Sequence, residues 1–134
     1  MRTGLVLALA AAALGGCNLL TGDFTLSGTV DIAPRLRERA PKTNAMLFVV
    51  AENEGGVPVA VRRIVNPEFP AAFAMGPEDL LVPKVRRREP LKVHVEMNTH
   101  GDVGRPQPGD LQGDAPALTV SGATRVAVVL DRVR

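Results

Sequence analysis

Apolar and polar positions alternate along residues 24–33. Phe24, Leu26, Gly28, Val30 and Ile32 fall on one side, and Thr25, Ser27, Thr29 and Asp31 on the other. Successive side chains of an extended chain point to opposite faces, so this spacing predicts a half-buried strand. Residues 46–51 (MLFVVA) follow a different rule, an unbroken apolar run rich in β-branched side chains and too short for a helix. Such a run predicts a buried strand central to its sheet, with Phe48 as a core anchor. A second run, Val57 with Pro58, Val59, Ala60 and Val61, is separated from the first by Glu52, Asn53, Glu54, Gly55 and Gly56. These polar and flexible residues suit a reversing chain, which predicts a hairpin. Pro58 cannot donate to a ladder, so the second strand is expected to begin there or to face an edge.

The same alternation returns at Phe69, Ala71, Phe73 and Met75, with Pro70 marking an edge, and again at Leu91, Val93, Val95 and Met97. In the latter segment Lys92, His94, Glu96 and Asn98 form the opposing polar face. Residues 34–40 (PRLRERA) predict one helical turn with its arginines in water, and residues 125–133 a closing strand. Between them, residues 99–116 are rich in Gly, Pro and Asp and predict a loop. Within it, the Asp110 carboxylate is expected to accept backbone N–H groups of its own turn while Leu111 plugs the core beneath. About seven strands with one apolar face each require a second layer. The fold class is therefore all-β, a two-sheet sandwich. Thirteen Gly and eleven Pro favour this turn-rich reading over a bundle, and with 3% aromatic residues the core must be filled by Val, Leu and Ala.

Ahead of the sandwich lies a different pattern. One positive charge at Arg2 precedes an apolar run over residues 4–14, too short to span a bilayer of about 30 Å but suited to the core of a signal helix. Leu14-Gly15-Gly16-Cys17 follows, and resembles the lipobox of bacterial lipoproteins, in which the cysteine is acylated and becomes the first mature residue. The alternative is an ordinary secretory signal with an incidental cysteine. The expected organisation is a signal peptide over 1–16, a lipidated Cys17 with a short tether over 17–23, and the sandwich over 24–134. Acylation of the only cysteine leaves no disulfide, no thiolate nucleophile and no haem attachment site. Localisation is then the bacterial cell envelope, lipid-anchored and periplasm-facing. Asn18 in place of Asp slightly favours the outer membrane over the inner. A formal charge of +2 gives no reason to expect nucleic acid as a partner.

Candidate chemistry is sparse. His94, Met97 and His100 are of types that ligate copper or haem, but strand geometry sends His94 and Met97 to opposite faces. Asp102, Asp110 and Asp114 share a Gly-rich loop and are of a type that ligates calcium, yet their spacing matches no EF-hand, and Pro106 and Pro108 stiffen the loop. No metal or other cofactor is expected. Arg62, Arg63, Lys84, Arg86, Arg87 and Arg88 are the densest cations, a candidate surface for a partner or for lipid headgroups; the plainer alternative is a solvated loop and outward strand positions. No nucleophile–base order, paired carboxylate setting or phosphate loop stands out, so the chain is not expected to be an enzyme.

Five segments in order carry a family resemblance: LSGTVDIAP, LFVVAENEGGVPVAVRR, FPAAFAMGPED, RPQPGDLQG and VAVVLDRVR. From about Thr25 to Arg134 the chain resembles the C-terminal immunoglobulin-like domain of CycH-type cytochrome c biogenesis proteins. In that family the domain follows membrane helices and tetratricopeptide repeats, where here a lipidation signal precedes it. Glu96 also stands where the family pattern has Arg. The resemblance implies an accessory, protein-binding lipoprotein in c-type cytochrome biogenesis, with maturation proteins or an apocytochrome as partners. The alternative is a structural or carrier lipoprotein of the envelope that keeps only the fold.

Overall fold

In the computed structural model residues 23–134 are described; the expected signal segment, Cys17 and the expected tether through Gly22 lie outside them. The strands are β1 (Leu26–Ile32), β2 (Met46–Glu52), β3 (Pro58–Val65), β4 (Ala71–Met75), β5 (Lys92–Asn98), β6 (Leu111–Asp114), β7 (Val126–Leu130) and β8 (Arg132–Val133). Two 3-10 turns, Pro34–Arg39 and Pro77–Asp79, follow β1 and β4. The first buries Leu36 and leaves its arginines exposed. Among the described residues no helix is long and apolar enough to cross a membrane.

The strands form a three-stranded sheet, β4-β1-β7, and a five-stranded sheet, β3-β2-β5-β6-β8. The chain is an all-β, immunoglobulin-like sandwich. β3 and β4 are edge strands, which suits the prolines at or just before their first residues. Leu26, Val30, Phe73, Met75 and Val128 from one sheet meet Leu47, Val49, Ala51, Val93, Val95, Met97 and Leu111 from the other in one core.

Four features differ from the sequence reading. Phe48 and Val50 are buried, but outside the inter-sheet core; they lie on the outer face of β2, opposite Glu96 and His94 of β5. Glu96 and Asn98, expected on a solvated face, are 6% and 2% exposed. Residues 111–114, expected as loop, pair with β5 as β6. The expected closing strand breaks at Asp131, so that β7 belongs to the three-stranded sheet and β8 to the five-stranded one.

That crossing demands close backbone contact. A Cβ on Gly28 would fall onto the Val126 carbonyl, and one on Gly113 onto the Val129 carbonyl. A glycine in β1 and another in β6 thus let β7 pass close to both sheets. The Asp131 N–H then donates to the Gln112 carbonyl (3.0 Å) and the Ala33 N–H to that of Leu130 (3.0 Å).

The sandwich has two distinct ends. Leu26 of β1 sits beside Met75, the last residue of β4, from which a short segment leads to Leu80, bridged to Ala60 near the start of β3. Glu52 pairs with both Pro58 and Lys92, and the Gly122 N–H donates to the Thr25 carbonyl (2.7 Å). The chain therefore enters at the end that carries the 53–57 hairpin and the 81–90 and 115–125 connections. At the opposite end lie the Pro34–Arg39 turn and residues 99–110.

Gly28→Ala is expected to destabilise the domain by about 1–3 kcal/mol through overpacking, while the neighbouring Ser27→Ala stays within about 0.5 kcal/mol. Thermal unfolding of both variants checks this, and wild-type stability for Gly28→Ala would contradict the close approach.

Candidate functional site

The outer face of β5 presents Lys92, His94, Glu96 and Asn98, flanked by Phe48 and Val50 of β2 and by Gln112 and Asp114 of β6. Residues 99–110 fold back over its far half. Asn98 anchors that return: its Oδ1 accepts the Gly101 N–H (2.9 Å) and its Nδ2 donates to the Asp102 carbonyl (3.1 Å). Glu96 holds the next part, accepting the Gly104 N–H at Oε2 (3.0 Å). Asp110 closes it, its Oδ2 accepting the Gln107 N–H (2.8 Å) and facing His100 Nε2 (2.7 Å). A short polar side chain that satisfies backbone N–H groups lets a non-repetitive segment lie against a sheet without orphaned donors. Among the described residues no buried side-chain polar atom lacks a partner.

The near half of the face is an ion network. His94 Nδ1 lies 2.8 Å from Asp114 Oδ1, and its Nε2 lies 3.1 Å from Glu96 Oε1. A ring protonated at both nitrogens satisfies both acceptors. Arg132 of β8 donates to Asp114 Oδ2 (2.6 Å), and Lys92 Nζ stands 3.8 Å from Asp114 Oδ1. Burial pushes the Asp114 carboxyl up, but hydrogen bonds from Arg132 and His94 and their positive charges outweigh it. The carboxyl is held below the ordinary aspartate range. The same hydrogen bond to Asp114 raises Arg132.

These donors and acceptors are spent on one another. Two grooves of about 470 and 430 Å³ are lined by other residues. Met97 is in the core and His94 is outside it, on opposite faces as their spacing requires, while His100 faces Asp110. Asp110 and Asp114 are engaged by different partners, and Asp102 is exposed. Among the described residues no group of three or more His, Cys, Asp or Glu side chains is arranged to hold a metal ion.

The six candidate cations do not form one patch. Arg62 reaches from β3 to Glu78 (3.6 Å) and Asp79 (3.4 Å), tying the edge of one sheet to the turn after β4 of the other. Arg63, paired in register with Phe48, is exposed on the outer face. Lys84, Arg86, Arg87 and Arg88 are exposed in the 81–90 connection. Cys17 lies outside the described residues. Glu96, Asn98 and Asp114 escaped the sequence reading as a connected set. The signal available was Asn98 three residues before Gly101, a pairing typical of a side-chain-capped turn.

Comparison with known families matches residues 26–131 to the cytochrome c-type biogenesis protein H Ig-like domain. The chain belongs to this family. Membership supports a role related to c-type cytochrome biogenesis. An uncharacterized protein of Aquifex aeolicus (strain VF5) is 29% identical over 109 residues, covering 81% of this chain and 71% of that protein. No solved structure matches. Within this Ig-like domain Glu96 is not a loose surface residue, because its two oxygens face the His94 ring and the Gly104 amide.

A carboxyl lowered in the folded state contributes stability that is present above its unfolded pKa of about 3.9 and lost as pH falls through the folded value. Acid unfolding should therefore be steeper below about pH 4 for wild type than for Asp114→Asn. Denaturant midpoints measured from neutral to strongly acid pH check this; identical pH profiles would show that the network does not hold Asp114.

Proposed function

We propose that this chain is a non-catalytic, lipid-anchored lipoprotein of the bacterial envelope that serves c-type cytochrome biogenesis as an accessory protein-binding module. The observation that carries the reading is the family match across residues 26–131, nearly the whole described sandwich. The internal satisfaction of the His94–Glu96–Asp114–Arg132 network supports binding rather than catalysis. Its groups are held by one another and not aimed into a cavity. The short apolar signal and small residues before Cys17 support anchoring through acyl chains at that cysteine, each buried CH₂ contributing about 0.8 kcal/mol. The sandwich then faces the periplasm, with the outer membrane slightly favoured over the inner. Its partners are maturation proteins or an apocytochrome.

Deleting the gene is expected to lower holocytochrome c, with recovery on expression of the wild-type chain. Cys17→Ser is expected to leave the membrane fraction or to retain its signal segment. Normal holocytochrome c in the deletion strain would remove the biogenesis role, and unchanged processing and fractionation of Cys17→Ser would remove the anchor.

A further inference from the structure

Three observations converge on one end of the sandwich. The first is where the chain enters. Asp23 and Phe24 open the described residues at the end that carries the 53–57, 81–90 and 115–125 connections. Six residue steps separate Cys17 from Asp23, so an anchor at Cys17 holds this end within about 20 Å of the acylated residue. The second is charge. Lys84, Arg86 and Arg87 line, with Asp23 and Phe24, a groove of about 430 Å³ beside the entry. Among the described residues, neither these three nor Arg88 pairs with a carboxylate; Arg62, Lys92 and Arg132 do. Of the acidic neighbours, Glu89 turns its carboxylate to the Arg86 backbone N–H (3.2 Å), and Asp23 stands in the same groove beside the three cations. The third is apolar exposure. Val57, Leu81, Leu118 and Val120, between 41% and 61% exposed, all lie in connections at this end. Tips that combine aliphatic side chains with unpaired cations suit the boundary between headgroups and acyl chains.

We propose that this end of the domain docks onto an anionic phospholipid surface. Lys84, Arg86, Arg87 and Arg88 contact headgroup phosphates there, and Leu81, Leu118 and Val120 enter the interfacial layer. The orientation rests on Cys17 as the anchored residue. Docking stands the sandwich upright, with residues 99–110 and the Pro34–Arg39 turn about 20 Å farther from the bilayer, the length of one strand. Arg62 takes no part, being held by Glu78 and Asp79.

The test uses the full chain purified from membranes and reconstituted into vesicles, either phosphatidylglycerol mixed equally with phosphatidylcholine or phosphatidylcholine alone. Two single-cysteine reporters, Leu118→Cys and Val103→Cys, carry an environment-sensitive fluorophore; an acylated Cys17 thiol does not react. A blue shift is expected at position 118 and not at 103, on anionic vesicles only, and diminished at about 0.5 M salt. Combining Lys84→Gln, Arg86→Gln, Arg87→Gln and Arg88→Gln should weaken docking by about fivefold for each cation removed, the factor equivalent to about 1 kcal/mol, with thermal stability unchanged. Equal shifts at both positions, a shift at 103 alone, or indifference to lipid charge or to the four substitutions would overturn the proposal. A reactive Cys17 thiol would instead show that the anchor is absent. Flotation of that unanchored chain and its four-substitution variant with the two vesicle types then decides the surface by itself: binding to anionic vesicles that the four substitutions weaken is expected, and equal flotation of both chains, or indifference to lipid charge, would overturn it.

Discussion

Everything in this fold depends on β7 being able to lie against both sheets. It runs parallel to β1 in one sheet, and after Asp131 the chain passes to β6 in the other. Two carbonyls, Val126 and Val129, occupy the places where side chains on Gly28 and Gly113 would stand. The sheets are thereby held at a fixed separation along one side, where only backbone intervenes. On the opposite side a side-chain tie does similar work, as Arg62 of β3 reaches Glu78 and Asp79 after β4. Between these margins Leu26, Val30, Leu47, Val49, Val93 and Val95 pack with almost no exposed area. Aliphatic side chains fill the interior, with Phe24 and Phe73 the only buried aromatic residues of the core among the described residues.

Because the five-stranded sheet is covered on its outer face as well, β2 and β5 are buried on both sides. The cover is polar, and its cost is met locally: Asn98, Glu96 and Asp110 each satisfy a backbone amide of residues 99–110. A buried carboxylate left without such partners would be strongly destabilising. The outcome is a rigid face whose donors and acceptors are held by one another.

Much of this was legible in the sequence. Period-two spacing marked β1, β4 and β5, prolines marked the edges, and the unbroken run around Phe48 marked a central strand. The run also contained the two-sided burial of β2, but nothing local said which of Leu47 and Phe48 would face the core. β6 was hidden because LQGD has one large apolar residue and a glycine whose purpose appears only when β7 lies against it. The break at Asp131 was hidden because VVLDRV reads as one strand; the change of sheet is a matter of partners, not propensity. Glu96 and Asn98 looked solvated because their cover is itself Gly- and Pro-rich. Six cations looked alike in sequence, and topology alone separates the tied Arg62 from the free loop at the chain entry.

If the proposed docking holds the chain-entry end at the membrane, the end left facing outward is the one open to the proposed cytochrome c biogenesis partners. In-cell photo-crosslinking in otherwise native chains tests it most directly, with the reactive residue at exposed Arg105 in the far loop or at Arg87 beside the chain entry. The expected result is protein adducts from position 105 containing a cytochrome c maturation component or an apocytochrome, and lipid adducts from position 87. Adducts from position 105 consisting only of other envelope proteins, or the same protein adducts from both positions, would contradict it.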